Sequence, residues 1–174
     1  LEEQLSQAIG IRWIDLGLRT NADMRGLNQS ILSYDTKYAS RVIHGDASVL
    51  DEIPEVKAET LSWLEARVLY YTRLYTLVGS LGPQGLRSTL RDEESRFFRN
   101  QMAKAVLAVV DVSLLAQGRY HWSYTERVKR VLELYPDRTD FAELCPWSLA
   151  EKLRPQAPTM PPDEVAELYH AVRE

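Results

Sequence analysis

The sequence predicts a mainly α-helical protein: a bundle of two long antiparallel helices with shorter ones packed on it, preceded by one short N-terminal β-strand. The long helices are predicted because apolar residues recur at three- and four-residue steps over 54–78 and again over 89–117. The strand is predicted because apolar and polar residues alternate over 11–18, as in a half-buried strand. A single strand is not stable alone, so we expect its sheet, an α/β palm, to lie upstream of Leu1.

Capping residues and a glycine predict where the first helices of the chain begin and end. Residues 2–9 are predicted to form a helix that ends at Gly10. After the alternating segment, Thr20 or Asn21 can cap a helix that continues to about Ser33. The chain begins without an initiator Met, which leads us to expect that it is part of a longer protein.

The two long helices are separated by the glycines and proline of residues 79–85. The first helix is expected to start at Pro54, and the second to stop at Gly118. Each has one predicted core stripe. The stripe of the first helix consists of Leu61, Leu64, Val68, Tyr71, Tyr75 and Val78, and that of the second of Phe98, Met102, Ala105, Val109, Val112 and Ala116.

Shorter helices follow. Ser123 is expected to cap a helix that runs to Leu134, and Glu126 three residues later predicts a capping box. Further prolines punctuate the rest of the chain and leave two short helices, near 139–153 and 162–173.

Composition excludes several classes of protein. The 174 residues carry a formal charge of −4, which argues against a nucleic-acid-binding surface. No apolar run approaches the roughly 20 residues of a membrane span. The single Cys145 cannot form an internal disulfide, so we expect a reducing, cytoplasmic setting. Three scattered histidines and one cysteine offer no structural zinc spacing.

The second long helix raises a question because Lys104 and Asp111 interrupt an otherwise apolar stretch. The two are nearly two turns apart and therefore lie on one face of the helix. That face is either a solvated stripe or the lining of a cleft that binds an anion. Beyond the turn at Gly118, Ser123 and Tyr124 lie at a helix N-terminus, where amide groups favour phosphate, although Ser123 is also explained as a cap.

The order of these segments resembles a known family. The strand IRWID, the helix phrase LEARVLYY and the run KAVLAVVDVSLLAQGRYHWSYTERV resemble the C-terminal part of nucleotidyltransferases of the polymerase-β superfamily, related to the aminoglycoside nucleotidyltransferases. The resemblance spans about residues 11–135. It implies a remnant of the palm and a connector over 1–46, and a helical substrate-binding domain over 47–174.

The resemblance also implies site residues and a cofactor. In that superfamily three carboxylates of the palm hold two divalent metal ions, so Asp15 would be a catalytic, metal-binding carboxylate and Mg²⁺ the cofactor. Lys104, Ser123 and Tyr124 would bind the nucleotide. The parent would transfer a nucleoside monophosphate from an NTP to a hydroxyl of a small-molecule acceptor.

One departure from the family concerns its metal-binding signature. A Gly-Ser pair followed by Asp-x-Asp does not precede Asp15 within this chain. A similar order occurs at Gly79-Ser80 and Asp92-Glu93-Glu94, but these acidic residues lie at a predicted helix start, so we interpret the match as accidental. The chain by itself is therefore expected to be inactive.

A second class of function stays open at this point. The helices could instead form a non-catalytic module for interaction or dimerisation, and a homodimer is one form that such a module could take. In that case the aromatic residues of the first long helix would form the interface, namely Trp63, Tyr70, Tyr71 and Tyr75.

Overall fold

A computed structural model describes residues 2–10, 16–80 and 85–174. Over these ranges the chain is mainly helical, as the sequence predicts, and contains no β-strand; residues Leu90 and Met160 form an isolated antiparallel bridge with N···O distances of 2.9 and 2.8 Å. The helices are α1 (Glu2–Ile9), α2 (Asn21–Arg25), α3 (Ile31–Ala39), α4 (Trp63–Gly79), α5 (Asp92–Ala116), α6 (Tyr124–Leu134), α7 (Thr139–Leu153) and α8 (Pro162–Arg173).

The predicted strand falls largely on residues 11–15, which lie outside the described residues, and residues 16–20 have no regular secondary structure. The prediction of one helix that continues to Ser33 is wrong in its extent. The segment is divided into α2 and α3, because Gly26 ends α2 and the side chain of Ser30 caps α3 by accepting a hydrogen bond from the Ser33 amide at 3.1 Å.

The chain divides into two compact units. The first contains the N-terminal residues up to Asn28 together with Arg41–Glu55. In it α2 packs on a 3₁₀ segment, Ala47–Glu52, and Arg25 forms an ion pair with Glu52. Thr20 and Asp23 form a reciprocal capping box at the start of α2, which explains why the helix begins there.

The second unit contains Gln29–Ser40 and Val56–Glu174, and therefore α3 to α8. Helix α5 is its central element and contacts α4, α6, α7 and α8. The helix stops at Gly118 as predicted, because Gly118 takes a positive φ of 63° and its neighbour Arg119 donates its amide to the Leu114 carbonyl at 2.8 Å. A Cβ at position 118 would lie 3.3 Å from Cα of Glu59.

Helix α4 differs from its prediction in start and orientation. It begins at Trp63, not at Pro54, because Ser62 caps it by accepting the Leu64 amide at 3.2 Å. Its buried residues are Ala66 and Leu77. Most of the predicted core stripe is instead exposed, each residue by at least 46% and Tyr75 by 82%: Leu64, Val68, Tyr71, Tyr75 and Val78.

Helix α5 is buried on more than the one predicted stripe. Phe98 and Met102 are buried as expected, whereas Val109 is partly exposed. Val110 and Leu114, on another face, are completely buried against α6 and α7. Neighbours on several sides of α5 account for this, since each covers a different face.

The predicted bounds of α6, α7 and α8 are confirmed, but the capping box of α6 is incomplete. Ser123 accepts a hydrogen bond from the Glu126 amide at 3.5 Å, as an N-cap should. The Glu126 carboxylate bonds to Arg130 at 2.9 Å instead of returning to the cap. The amide of Ser123, which a complete capping box would pair with the Glu126 carboxylate, instead donates to Nδ1 of His121 at 3.0 Å.

Candidate functional site

A buried arginine lies at the start of α6, within the second unit. The guanidinium of Arg127 bonds both carboxylate oxygens of Asp111 on α5, at 3.2 and 3.1 Å, through one terminal nitrogen. Its other terminal nitrogen bonds both oxygens of Asp35 on α3, each at 3.2 Å. Because Arg127 is only 2% exposed, this pairing is needed to offset the cost of removing its charge from water.

The remaining donors of Arg127 bond the backbone before α6. One terminal nitrogen donates to the Trp122 carbonyl at 3.1 Å, and Nε donates to the His121 carbonyl. Aromatic rings also pack on the guanidinium, with ring centroids 4.3 Å away for Tyr120 and 4.5 Å for Tyr124. Every donor group of this side chain is occupied, so Arg127 holds α3, α5 and the start of α6 together and has no hydrogen bond left for a ligand.

Burial changes the acidity of the groups around Arg127. Desolvation raises the pKa of Asp111 to about 6, although the charge of Arg127 opposes the rise. Desolvation likewise raises the pKa of Asp35, again opposed by Arg127. The hydroxyl of Tyr120 donates to Asp35 at 3.1 Å, and burial raises its pKa above the ordinary range of tyrosine.

Lys104 has very different surroundings from Asp111, although both lie on α5. Burial lowers the pKa of Lys104, and the positive charges of Lys152 on α7 and Arg73 on α4 lower it further. No carboxylate among the described residues forms an ion pair with any of these three side chains. We call Arg73, Lys104 and Lys152 the basic cluster; it combines cations from three helices, none of which forms an ion pair within the described ranges.

Tyr124 links the basic cluster to the buried arginine. The Nζ atom of Lys152 lies 5.7 Å from the centroid of the Tyr124 ring, which also contacts the guanidinium of Arg127. The charge of Arg73 also acts on Tyr124 and on Asp111. Two of the predicted nucleotide-binding residues, Lys104 and Tyr124, therefore share Lys152 and Arg73 as neighbours.

Ser123 and Asp15 are placed differently from these two. The hydroxyl of Ser123 accepts the Glu126 amide as the cap of α6, so it is engaged in local structure. Asp15, the predicted catalytic and metal-binding carboxylate, lies outside the described residues.

The residues that the structure describes do not fit Mg²⁺. They include no group of three or more histidine, cysteine, aspartate or glutamate side chains that could hold a metal ion. The half-buried Asp35 and the buried Asp111 both bond Arg127. A cation at these carboxylates would have to displace the guanidinium.

Several residues of this region were not identified from the sequence: Asp35, Arg73, Arg127 and Lys152. A signal for Arg127 does exist. It lies on the face of α6 that also carries the buried residues Val128 and Val131, and a charged residue at such a position needs a buried partner. Its partner Asp35 is 92 residues away in the sequence, and no local pattern connects them.

Comparison of the chain with known protein families, with curated proteins and with solved structures finds no match. The relationship to nucleotidyltransferases therefore stays a prediction. Among the helices of the described ranges, none combines the length and apolar character that crossing a bilayer requires.

Proposed function

We propose that this chain is the helical part of a nucleotidyltransferase and that its basic cluster binds the phosphates of a nucleoside triphosphate. The observation that supports this proposal is the meeting of Arg73, Lys104 and Lys152 without a carboxylate partner in the described part of the chain. Three cations in proximity repel one another, and Lys104 is also partly desolvated. A polyanion would remove both costs, since phosphate oxygens accept hydrogen bonds from ammonium and guanidinium groups.

The proposal gives Tyr124 the role of a wall beside the phosphates. Its ring already contacts both Arg127 and Lys152, so it needs little ordering when a ligand binds. Ser123 would act mainly through the amide groups of the α6 N-terminus that its cap organises.

In the full reaction proposed, the acceptor hydroxyl forms a bond to the α-phosphorus of the NTP, pyrophosphate leaves, and the hydroxyl proton is released. In the parent protein an α/β palm would supply the carboxylates, Asp15 among them, and Mg²⁺, while α4 and α5 would run antiparallel beneath the ligands. The described residues do not hold such a metal site. The role proposed for them is to bind the nucleotide and the small-molecule acceptor, and we expect no transfer by this chain alone.

Isothermal titration calorimetry with ATP tests this proposal on the intact chain, without and with Mg²⁺. We expect saturable binding to the wild type and a loss of about tenfold or more in affinity for Lys104→Gln, because one charge-assisted contact to phosphate disappears. The matched control is Lys129→Gln, since Lys129 is an exposed lysine of α6 whose nearest carboxylate, on Glu133, is 4.0 Å away.

Two results would contradict nucleotide binding at the basic cluster. One is the absence of any heat of binding for ATP with the wild type. The other is an equal loss of affinity in Lys129→Gln and Lys104→Gln, which would mean that ATP senses only the overall charge of the protein.

The alternative function, self-association, is favoured by a separate observation on α4. The exposed residues Leu64, Val68, Tyr71, Tyr75 and Val78 follow one another at steps of four, three, four and three. This average of 3.5 residues is the spacing of a coiled-coil seam, at which two helices bury their apolar side chains against each other. The partner that we infer for this seam is a second copy of the chain.

The size of the exposed α4 surface suits such a dimer. Four aromatic side chains of α4 are exposed, namely Trp63, Tyr70, Tyr71 and Tyr75. Aromatic side chains can each bury about 150–250 Å². Together with the aliphatic residues of the seam they offer an area on the order of the 800 Å² that each partner buries in a standard interface.

Light scattering coupled to size-exclusion chromatography tests the dimer. We expect the wild type to elute as two copies and Tyr75→Lys as one, because a lysine in the centre of the seam would bury an unpaired charge. The control Leu153→Lys changes an exposed leucine of α7 and should leave the mass unchanged. A monomeric wild type, or a dimer that persists in Tyr75→Lys, would exclude this seam as the interface.

A further inference from the structure

We propose that a partly open cavity lined by α4, α5, α7 and α8 binds an apolar organic acid, a ligand with an aromatic or aliphatic body and one carboxylate. The cavity has a volume of about 320 Å³, which lies in the range of small-molecule sites. All four helices belong to the second unit. The cavity shares Arg73 with the basic cluster, but its other lining residues are distinct from Lys104 and Lys152, and the sequence did not indicate this site.

The cavity walls are predominantly apolar. Each of the four helices contributes, so the lining depends on the packed bundle and not on one segment of sequence. Representative lining side chains are Leu74, Leu77, Val109, Phe141, Leu144 and Val172. A site with this lining gains affinity by removing a comparable apolar surface of its ligand from water.

The charged groups of the cavity determine which polar group the ligand should carry. Arg138 lines the cavity but pairs with Asp140, to which its Nε donates at 2.8 Å. Arg73 also lines it and forms no ion pair with a carboxylate of the described residues. A guanidinium without a partner can bond both oxygens of a carboxylate, so a single acidic group of the ligand would complete the site.

The same charges disfavour a cationic ligand. Arg73, Arg138 and Arg173 lie along the lining, against the two acidic side chains of Asp140 and Glu174. Because Asp140 is already paired with Arg138, a ligand ammonium group would meet more positive than available negative charge. An acid is therefore preferred over both a neutral compound and an amine.

The experiment compares 2-naphthoate with its neutral analogue 2-naphthamide by isothermal titration calorimetry, in the absence of nucleotide. We expect 2-naphthoate to bind the wild type about tenfold more tightly, because only the acid can form the charged pair with Arg73. In Arg73→Gln the two compounds should bind alike. The matched control is Arg67→Gln, because Arg67 lies on the same helix but stacks on Trp63, outside the cavity lining, and its loss should preserve the tenfold difference.

A second pair of variants tests the position of the ligand. Val109→Phe fills part of the cavity and should reduce binding of both compounds by about tenfold or more. Val109 is 37% exposed, so the larger side chain does not have to enter a closed core. Val68→Phe makes the same change on the exposed face of α4 and should bind as the wild type does.

Three results would contradict binding of an acid in this cavity. Absence of binding by 2-naphthoate, equal affinities of acid and amide for the wild type, or equal losses in Val109→Phe and Val68→Phe would each overturn the proposal. Because ATP is absent from these titrations, a failure here is distinct from a failure of nucleotide binding at Lys104.

Discussion

Asp111 and Lys104 occupy the same face of α5, seven residues apart, and yet the protein treats their charges in opposite ways. Asp111 is buried and bonds Arg127, which also bonds Asp35. Lys104 is half-buried beside two further cations. The comparison teaches that two charges on one helix face can have different surroundings: Asp111 has a buried ion-pair partner, whereas Lys104 has none among the described residues.

The largest effect is expected from removing the cation shared by the two aspartates. Arg127→Met should lower the free energy of unfolding by about 3–5 kcal/mol, because it leaves the buried carboxylate of Asp111 and the half-buried one of Asp35 without their partner. Urea denaturation followed by circular dichroism measures this change. Arg119→Met is the control, since the side chain of Arg119 is 41% exposed and lies 3.5 Å from Glu133; the substitution should cost less than about 1 kcal/mol. Equal effects of the two substitutions would mean that the buried network does not stabilise the fold.

A smaller effect concerns the pH dependence of stability. The pKa of Asp111 is raised from 3.8 to about 6, so the folded protein binds this proton more tightly than the unfolded chain does. The resulting stabilisation is fully present below pH 3.8 and is lost as the pH rises through about 6. Relative to Asp111→Asn, which cannot titrate, the wild type should therefore gain up to about 1.4 kcal/mol per pH unit as the pH falls through this interval. Urea titrations of both proteins at several pH values test this, and parallel curves would refute it.

The smallest effect on stability is expected at Lys104, where the substitution should stabilise the protein instead of destabilising it. Lys104→Met should raise the free energy of unfolding by a few tenths of a kcal/mol, up to about 1 kcal/mol, because a partly desolvated cation beside like charges is removed. The gain should shrink at high salt, which screens the repulsion in the wild type. Thermal denaturation at low and high salt measures both effects, with Lys129→Met as the control. A marked loss of stability would show that Lys104 has a stabilising partner and would weaken the case for a ligand at the basic cluster.

Much of the helical structure could be predicted from the sequence because it depends on nearby residues. The start of α6 follows from the cap Ser123, and the end of α5 from the left-handed conformation of Gly118. Where the prediction failed, another local signal was stronger than the one used: Ser30 starts a new helix inside a predicted one, and Ser62 starts α4 later than Pro54.

The candidate site could be predicted only in part. Lys104 and Tyr124 both lie near Lys152, but their role in a nucleotide site stays a prediction, and Asp15 lies outside the described residues. Arg73 and Lys152 were missed because they come from helices far apart in the sequence, and no spacing rule relates them to Lys104. The same holds for the cavity, whose walls exist only when four helices are packed.

The apolar stripe of α4 shows most directly what the sequence determined and what it did not. By itself the sequence determined that α4 is a helix with apolar side chains at heptad spacing, since helix formation and side-chain direction follow from neighbouring residues. Only the tertiary structure decided that Ala66 and Leu77 face the bundle while Tyr75 faces solvent. It likewise decided that Arg127 bonds Asp35 and that Lys104 lies without a carboxylate partner among the described residues. The physical reason is that burial and charge pairing depend on which distant surfaces meet, and a periodic pattern does not identify the surface that will cover it.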